Sequence, residues 1–123
     1  MPARPFSVEP GQAPVLDVGT RSSGSRTVVS PVGEIELTTA STLYRSLYRV
    51  LSSPRREVWI DLTRVTFMDV AGLHVILAVQ RALERDHRRL GVVVADGIVR
   101  RLIEVADADL AVLHDRRRTS RDA

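Results

Sequence analysis

The sequence predicts an α/β domain built on a mixed sheet of four to five strands. Three observations predict it. Val58, Ile60 and Leu62 sit two apart, the period of a strand, and β-branched or aromatic residues continue as far as Phe67. Leu73, Ile76, Leu77, Gln80 and Leu83 then recur at three and four, so the period becomes helical at Asp69 with hardly any loop. Leu90 to Ala95 is a short continuous apolar run, as a buried parallel strand requires. Strands that alternate with helices in this way imply right-handed parallel crossovers.

In chain order, Pro2, Pro5, Pro10 and Pro14 mark residues 1–14 as an irregular N-terminal segment laid over the sheet edge. Val15 to Val18 reads as a short first strand. Gly19 to Ser25 is a flexible turn that returns Arg26 to Val32 antiparallel, as a hairpin. Gly24 and its serines lack the spacing, the lysine and the following helix of a phosphate cradle. Pro31 places the second strand at an edge or a bulge. Gly33 allows a sharp approach to Thr38 or Thr39, either of which can cap the next helix. That helix carries the stripe Leu43, Leu47, Val50 and Leu51, with Tyr44 and Tyr48 as packing residues, and stops at Ser52-Ser53-Pro54. Val58 to Leu62 is the central strand.

Asp69 is placed to accept a backbone N–H of the next helix's first turn and to oppose the positive end of its dipole. Gly72 lies inside that turn, where it costs ~1 kcal/mol against Ala, so something must approach the backbone closely there. The helix is apolar nearly all round to Val79, which requires deep enclosure or a cover from outside the chain. Beyond Leu90–Ala95, Ile98, Val99, Leu102, Ile103 and Val105 make a further amphipathic helix, and Leu110 to Leu113 the last strand. Asp115 to Arg121 has no apolar periodicity, so residues 115–123 read as a disordered basic tail and residues 15–114 as the domain.

Composition narrows the function. The net charge is +3 and the pI near 10.5, yet residues 115–123 alone supply +2 of the excess. Aromatic residues are 4%, with no basic run interleaved among them, which argues against a nucleic-acid partner. No apolar run approaches the ~20 residues of a membrane span. The absence of cysteine excludes thiolate chemistry and, with no secretory leader, leads to the expectation of a cytoplasmic protein. His74, His87 and His114 lack metal-ligand spacing, and no nucleophile elbow, Walker loop or dinucleotide fingerprint is present. The expectation is therefore a non-enzymatic protein with no catalytic residue, metal or cofactor.

Phe67-Met68-Asp69-Val70-Ala71-Gly72-Leu73 resembles the signature of bacterial anti-sigma-factor antagonists, the STAS domain, in which Asp-Ser-Ser/Thr-Gly-Leu opens a helix after a strand. Gly33-Glu34-Ile35-Glu36 is similar to that family's Gly-Glu-Leu/Ile-Asp, and Ile98 to Val105 to its later short helix. The resemblance covers roughly Thr27 to His114, in the right order. It implies a STAS-like sandwich, with helices packed mainly on one face of the sheet, and a switch in which the domain binds an anti-sigma factor of the serine-kinase kind and so releases a sigma factor. Phosphorylation of the Ser after the motif Asp ends that contact by putting about −1.5 to −2 charges into a tight patch.

Here that position is Val70 and its neighbour Ala71, so neither accepts phosphate. The resemblance implies a partner surface of Glu34, Glu36, Thr38, Asp69, Val70, Ala71, Gly72, Leu73 and His74, made more apolar and lacking the phosphoswitch. Alternatives are a STAS subunit of a transport or lipid-trafficking complex, a ligand-sensing scaffold, and a nucleotide sensor. The expected assembly is a monomer or weak homodimer.

Overall fold

The computed structural model describes residues 15–119. The segment 1–14 and the last residues of the expected tail lie outside them. The elements in order are β1 (Leu16–Ser23), β2 (Arg26–Ile35), α1 (Ala40–Leu51), β3 (Glu57–Asp61), β4 (Val65–Met68), α2 (Val70–Arg85), β5 (Arg89–Asp96), α3 (Ile98–Val105) and β6 (Ala111–Thr119). The sheet runs β1-β2-β3-β5-β6, with β1 antiparallel and the rest parallel. β4 pairs with β2 beyond the end of β3. Val29, Val58, Ile60, Val92 and Val94 join Leu43, Leu47, Leu73, Ile76, Val99 and Ile103 in one core. Alternate strand residues and all three helices thus meet on the same face of the sheet.

The sheet has six strands where four to five were expected. The extra strand is β4, four residues long, too short to show alternation beside the helix that follows it. The hairpin also differs: β1 continues to Ser23 and only Gly24-Ser25 turns, with Gly24 at φ +59°. The polar half of β1 is held by its ladder to β2 rather than by burial of its own side chains.

Pro31 lies in neither an edge strand nor the bulge itself. β2 pairs with β3 through Val29 and with β4 from Gly33, the register shifting between Gly33 and Glu34. Pro31 sits in the gap between the two neighbours, where its missing N–H interrupts no ladder on that side. β6 passes the expected end at Leu113 and runs to Thr119, opposite Asp96.

At the far end of the sheet, Arg88 is 8% exposed and donates to the carbonyls of Val50, Leu51 and Arg55 at 2.9–3.2 Å. A guanidinium fork thus closes the C-terminus of α1, where unsatisfied carbonyls and the negative end of the dipole meet. Tyr44 and Tyr48, expected to pack, are exposed on the outer side of α1 and face each other with ring centroids 6.0 Å apart.

Candidate functional site

The resembling motifs meet where β2 and β4 end and α1 and α2 begin. Glu34 pairs with Phe67 and Ile35 with Met68, so the β2–α1 loop and the β4–α2 junction lie side by side. Asp69 alone separates β4 from α2. Its backbone is extended, its N–H donates to Ile35 O at 3.0 Å, and its carboxylate accepts the N–H of Gly72 at 3.2 Å. It is the N-cap that the sequence indicated.

The close approach expected at Gly72 comes from inside the domain. A β-carbon there would stand 2.5 Å from Ile35 Cγ2 and 2.9 Å from Met68 Cγ. Gly72 and Leu73 are buried. Of the expected partner-contact residues, these two hold the surface from beneath instead of forming it. The helix opens outward at Val70, 52% exposed, and at His74, while Asp69 and Ala71 are half-buried.

The neighbouring loop is tied down as tightly. Thr39 Oγ1 accepts the N–H of Glu36 at 2.9 Å and donates to Glu34 O at 2.7 Å. Thr39 precedes α1 but makes no side-chain bond to the first-turn amides, so it fixes the loop rather than capping the helix. The Glu36 carboxylate accepts the N–H of Thr38 at 2.8 Å and the Thr38 hydroxyl as well. Glu34 and Thr38 are exposed.

Two residues missed by sequence reasoning belong to this edge: Leu37, 77% exposed, and Phe67, 38% exposed. Leu37 had one usable signal, an apolar residue between Glu36 and Thr38 with no periodic partner. Along α2 an open groove of about 430 Å³ continues from Val70 and His74 past Leu77 and Arg81, facing Asp107 and Asp109 of the α3–β6 loop. Gln80 Nε2 crosses it to Asp109 O at 2.8 Å. The outer side of α2 is thus open within the described residues, so of the two expectations for its apolar first half, enclosure or a cover from outside the chain, enclosure within the domain is incomplete.

Among the described residues, no group of three or more acidic or histidine side chains could hold a metal ion. No helix among them is long and apolar enough to cross a membrane. Thr63 is buried against Asp61, at 2.6 Å, whereas Thr66 is exposed with its hydroxyl 3.3 Å from Gly33 O. At the end of β5, Arg100 contacts Asp96 at 2.6 Å and His114 Nε2 lies 2.8 Å from the same carboxylate. The Arg100 bond, with the charge of His114 behind it, holds the Asp96 carboxyl below its usual value.

Residues 18–114 match the family model described as Mlab, STAS domain. No curated protein matches the chain. Among solved structures, an anti-sigma factor antagonist from Mycobacterium paratuberculosis is 26% identical, with a TM-score of 0.74 over 80% of this chain and 85% of that one. SpoIIAA in its unphosphorylated form is 15% identical, with a TM-score of 0.70 over 81% of this chain and 89% of its own. The phosphorylated form of the Bacillus cell fate determinant SpoIIAA is 13% identical, with a TM-score of 0.63 over 81% and 92%. The strand-to-helix junction at Asp69, the mixed sheet covered on one face and a family match over residues 18–114 agree, and the chain belongs to the STAS-domain family.

Proposed function

We propose that this domain is a non-enzymatic binding module of the anti-sigma-factor-antagonist kind. It works in the cytoplasm and docks an anti-sigma factor at the edge formed by Glu34, Glu36, Thr38, Asp69, Val70, Ala71 and His74. Leu37 and Phe67 extend that edge. The observation that carries the reading is Val70: a large apolar side chain, 52% exposed, in the first turn of α2. An exposed apolar group on a rigid turn, rimmed by Glu34, Glu36 and Asp69, suits a contact that loses water on association. Relatives named as anti-sigma factor antagonists support it.

With Val70 and Ala71 in the motif, regulation does not pass through phosphate at these positions. The contact is constitutive, or is set by the supply of partner. Calorimetric titration against the histidine-kinase-fold anti-sigma factors of the source organism tests the reading. Saturable binding to one of them is expected, and binding to none would remove it.

The second reading, a STAS subunit of a transport or lipid-trafficking complex, draws on the same hydroxyl-free turn, since a permanent subunit needs no phosphoswitch. Co-purification with a permease and its ATPase, in place of an anti-sigma factor, would favour it.

A further inference from the structure

The face of the sheet turned away from the helices carries a feature that the strand-end site does not use. Register across β2, β3, β5 and β6 aligns Val28, Trp59, Gly91 and Ala111 in one row. Arg26, Glu57 and Arg89 form the row on one side, and Asp61, Val93 and Leu113 the row on the other. These flanking rows are four residues apart along the strands, about 13 Å. The Trp59 ring lies over Gly91 and Ala111 carries only a methyl group, so a trough-like depression of about 290 Å³ opens beside the ring, lined by Trp59, Ala111 and the row of Arg26, Glu57 and Arg89.

Trp59 closes one end. Its ring lies so close to Gly91 that a β-carbon there would stand 2.4 Å from the nearest ring carbon. The ring is held in place: Nε1 donates to the Glu57 carboxylate at 3.4 Å, Glu57 accepts Arg26 at 3.2 Å, and the Arg26 guanidinium sits 5.9 Å from the ring centroid. Hydrogen bonds from Trp59 and then Arg26, with attraction from Arg26 and Arg89, hold the Glu57 carboxyl below its usual value. Glu57 pairs with Arg26 and offsets one of the two guanidinium charges in its row. Arg89 is left as an exposed cation without an ion pair among the described residues.

We propose that this trough binds a small planar organic anion, an aromatic carboxylate or phosphate monoester, with its ring over Ala111 against the Trp59 ring and its anionic group on Arg89. The flat Trp59 ring selects a planar body, and the guanidinium of Arg89, which makes no ion pair among the described residues, selects a negative head group. Trp59 and Arg26 are already fixed by Glu57, so binding orders little that was free before.

The chain has one tryptophan, so the emission of Trp59 reports on the trough directly. The full chain is titrated with phenyl phosphate and with benzoate, against benzyl alcohol as a neutral ring and inorganic phosphate as a ringless anion. One of the two aromatic anions should give a saturable change, about tenfold tighter than either control, and the better one identifies the head group. Arg89→Gln should weaken binding about fivefold or more, with Arg89→Lys recovering part of it. Ala111→Leu, at an exposed position, should fill the trough and abolish saturation, while Ala111→Ser should not. Thermal melting of each variant separates a blocked trough from an unfolded domain. Linear quenching without saturation, equal binding of inorganic phosphate, or unchanged binding by a folded Ala111→Leu protein would each overturn the proposal.

Discussion

Ile35 Cγ2 occupies the space beside Gly72 so closely that a β-carbon there would lie only 2.5 Å away. Gly72→Ala should therefore destabilise the domain although alanine is the better helix former. The helix gain is ~1 kcal/mol, against an overpacking cost of ~1–3 kcal/mol. A net loss of up to about 2 kcal/mol in urea denaturation is expected. Ile35→Ala, which removes Cγ2, should cost less in the Gly72→Ala background than in the wild type. Additive costs would show that Ile35 moves aside freely.

Val70 lies on the outside of the same turn. Val70→Asp should leave the melting temperature nearly unchanged, because a carboxylate in the first helical turn is tolerated by the dipole. It should still weaken partner binding by at least ~1–3 kcal/mol, since the new charge is stripped of water in the contact. Normal melting with wild-type affinity would move the docking surface elsewhere. Mass spectrometry after incubation with a cognate kinase and ATP should find no phosphate on residues 69–72. If it finds phosphate nearby, exposed Thr38 or Thr66 is its place, and buried Thr63 is not.

Arg88→Met should keep the packing of the aliphatic stem and lose the bonds to Val50, Leu51 and Arg55. Two carbonyls at the helix end and one in the following loop lose a charged donor, a cost of about 2–4 kcal/mol in chemical denaturation. Arg88→Lys should recover only part, because an ammonium cannot fork to all three. A loss below about 0.5 kcal/mol would mean that water replaces the guanidinium.

Acid should find the end of β5. The Asp96 carboxyl is held below its usual 3.8, first by its hydrogen bond from Arg100 and then by the charge of His114. A carboxyl with a depressed folded value contributes stability that is complete above the unfolded value and is lost as pH falls through the folded one. The urea midpoint should therefore drop between about pH 5 and about pH 3, with a shallower drop in Arg100→Gln. Equal slopes in the two proteins would show that this pair is screened by solvent.

The residues that were legible in the sequence are those whose role is local. Asp69 and Gly72 declare a strand-to-helix turn within four positions, and Val58, Ile60 and Leu62 declare a buried strand face. Residues whose role depends on distant chain were not legible. Arg88 reaches a carbonyl 38 positions away, and nothing around it in sequence marks it as a helix clamp. β4 is recognisable only through its pairing with β2, because Thr66 and Phe67 are both exposed and break any alternation. Within the candidate site the motif alone could not separate Gly72 and Leu73, which face inward, from Val70 and His74, which face out. That division follows from the 100° step of the helix once its buried side is known. Arg26, Trp59 and Arg89 lie on three different strands, so only the register brings them together.

The single-residue junction at Asp69 bears on how this surface can change over time. Both its backbone N–H and its carboxylate are engaged within the domain, and Thr39 fixes the adjoining loop in the same way. The main chain at the surface is thus held by hydrogen bonds within the domain before anything docks, so association should carry little ordering entropy. Substitutions at positions 70 and 71 leave that frame untouched, because their side chains take no part in holding it. A hydroxyl can be exchanged there for a methyl or isopropyl group, and a regulated contact for a permanent one, without a compensating change elsewhere in the chain. Differences in affinity among such variants should then appear as differences in residence time rather than in the rate of encounter.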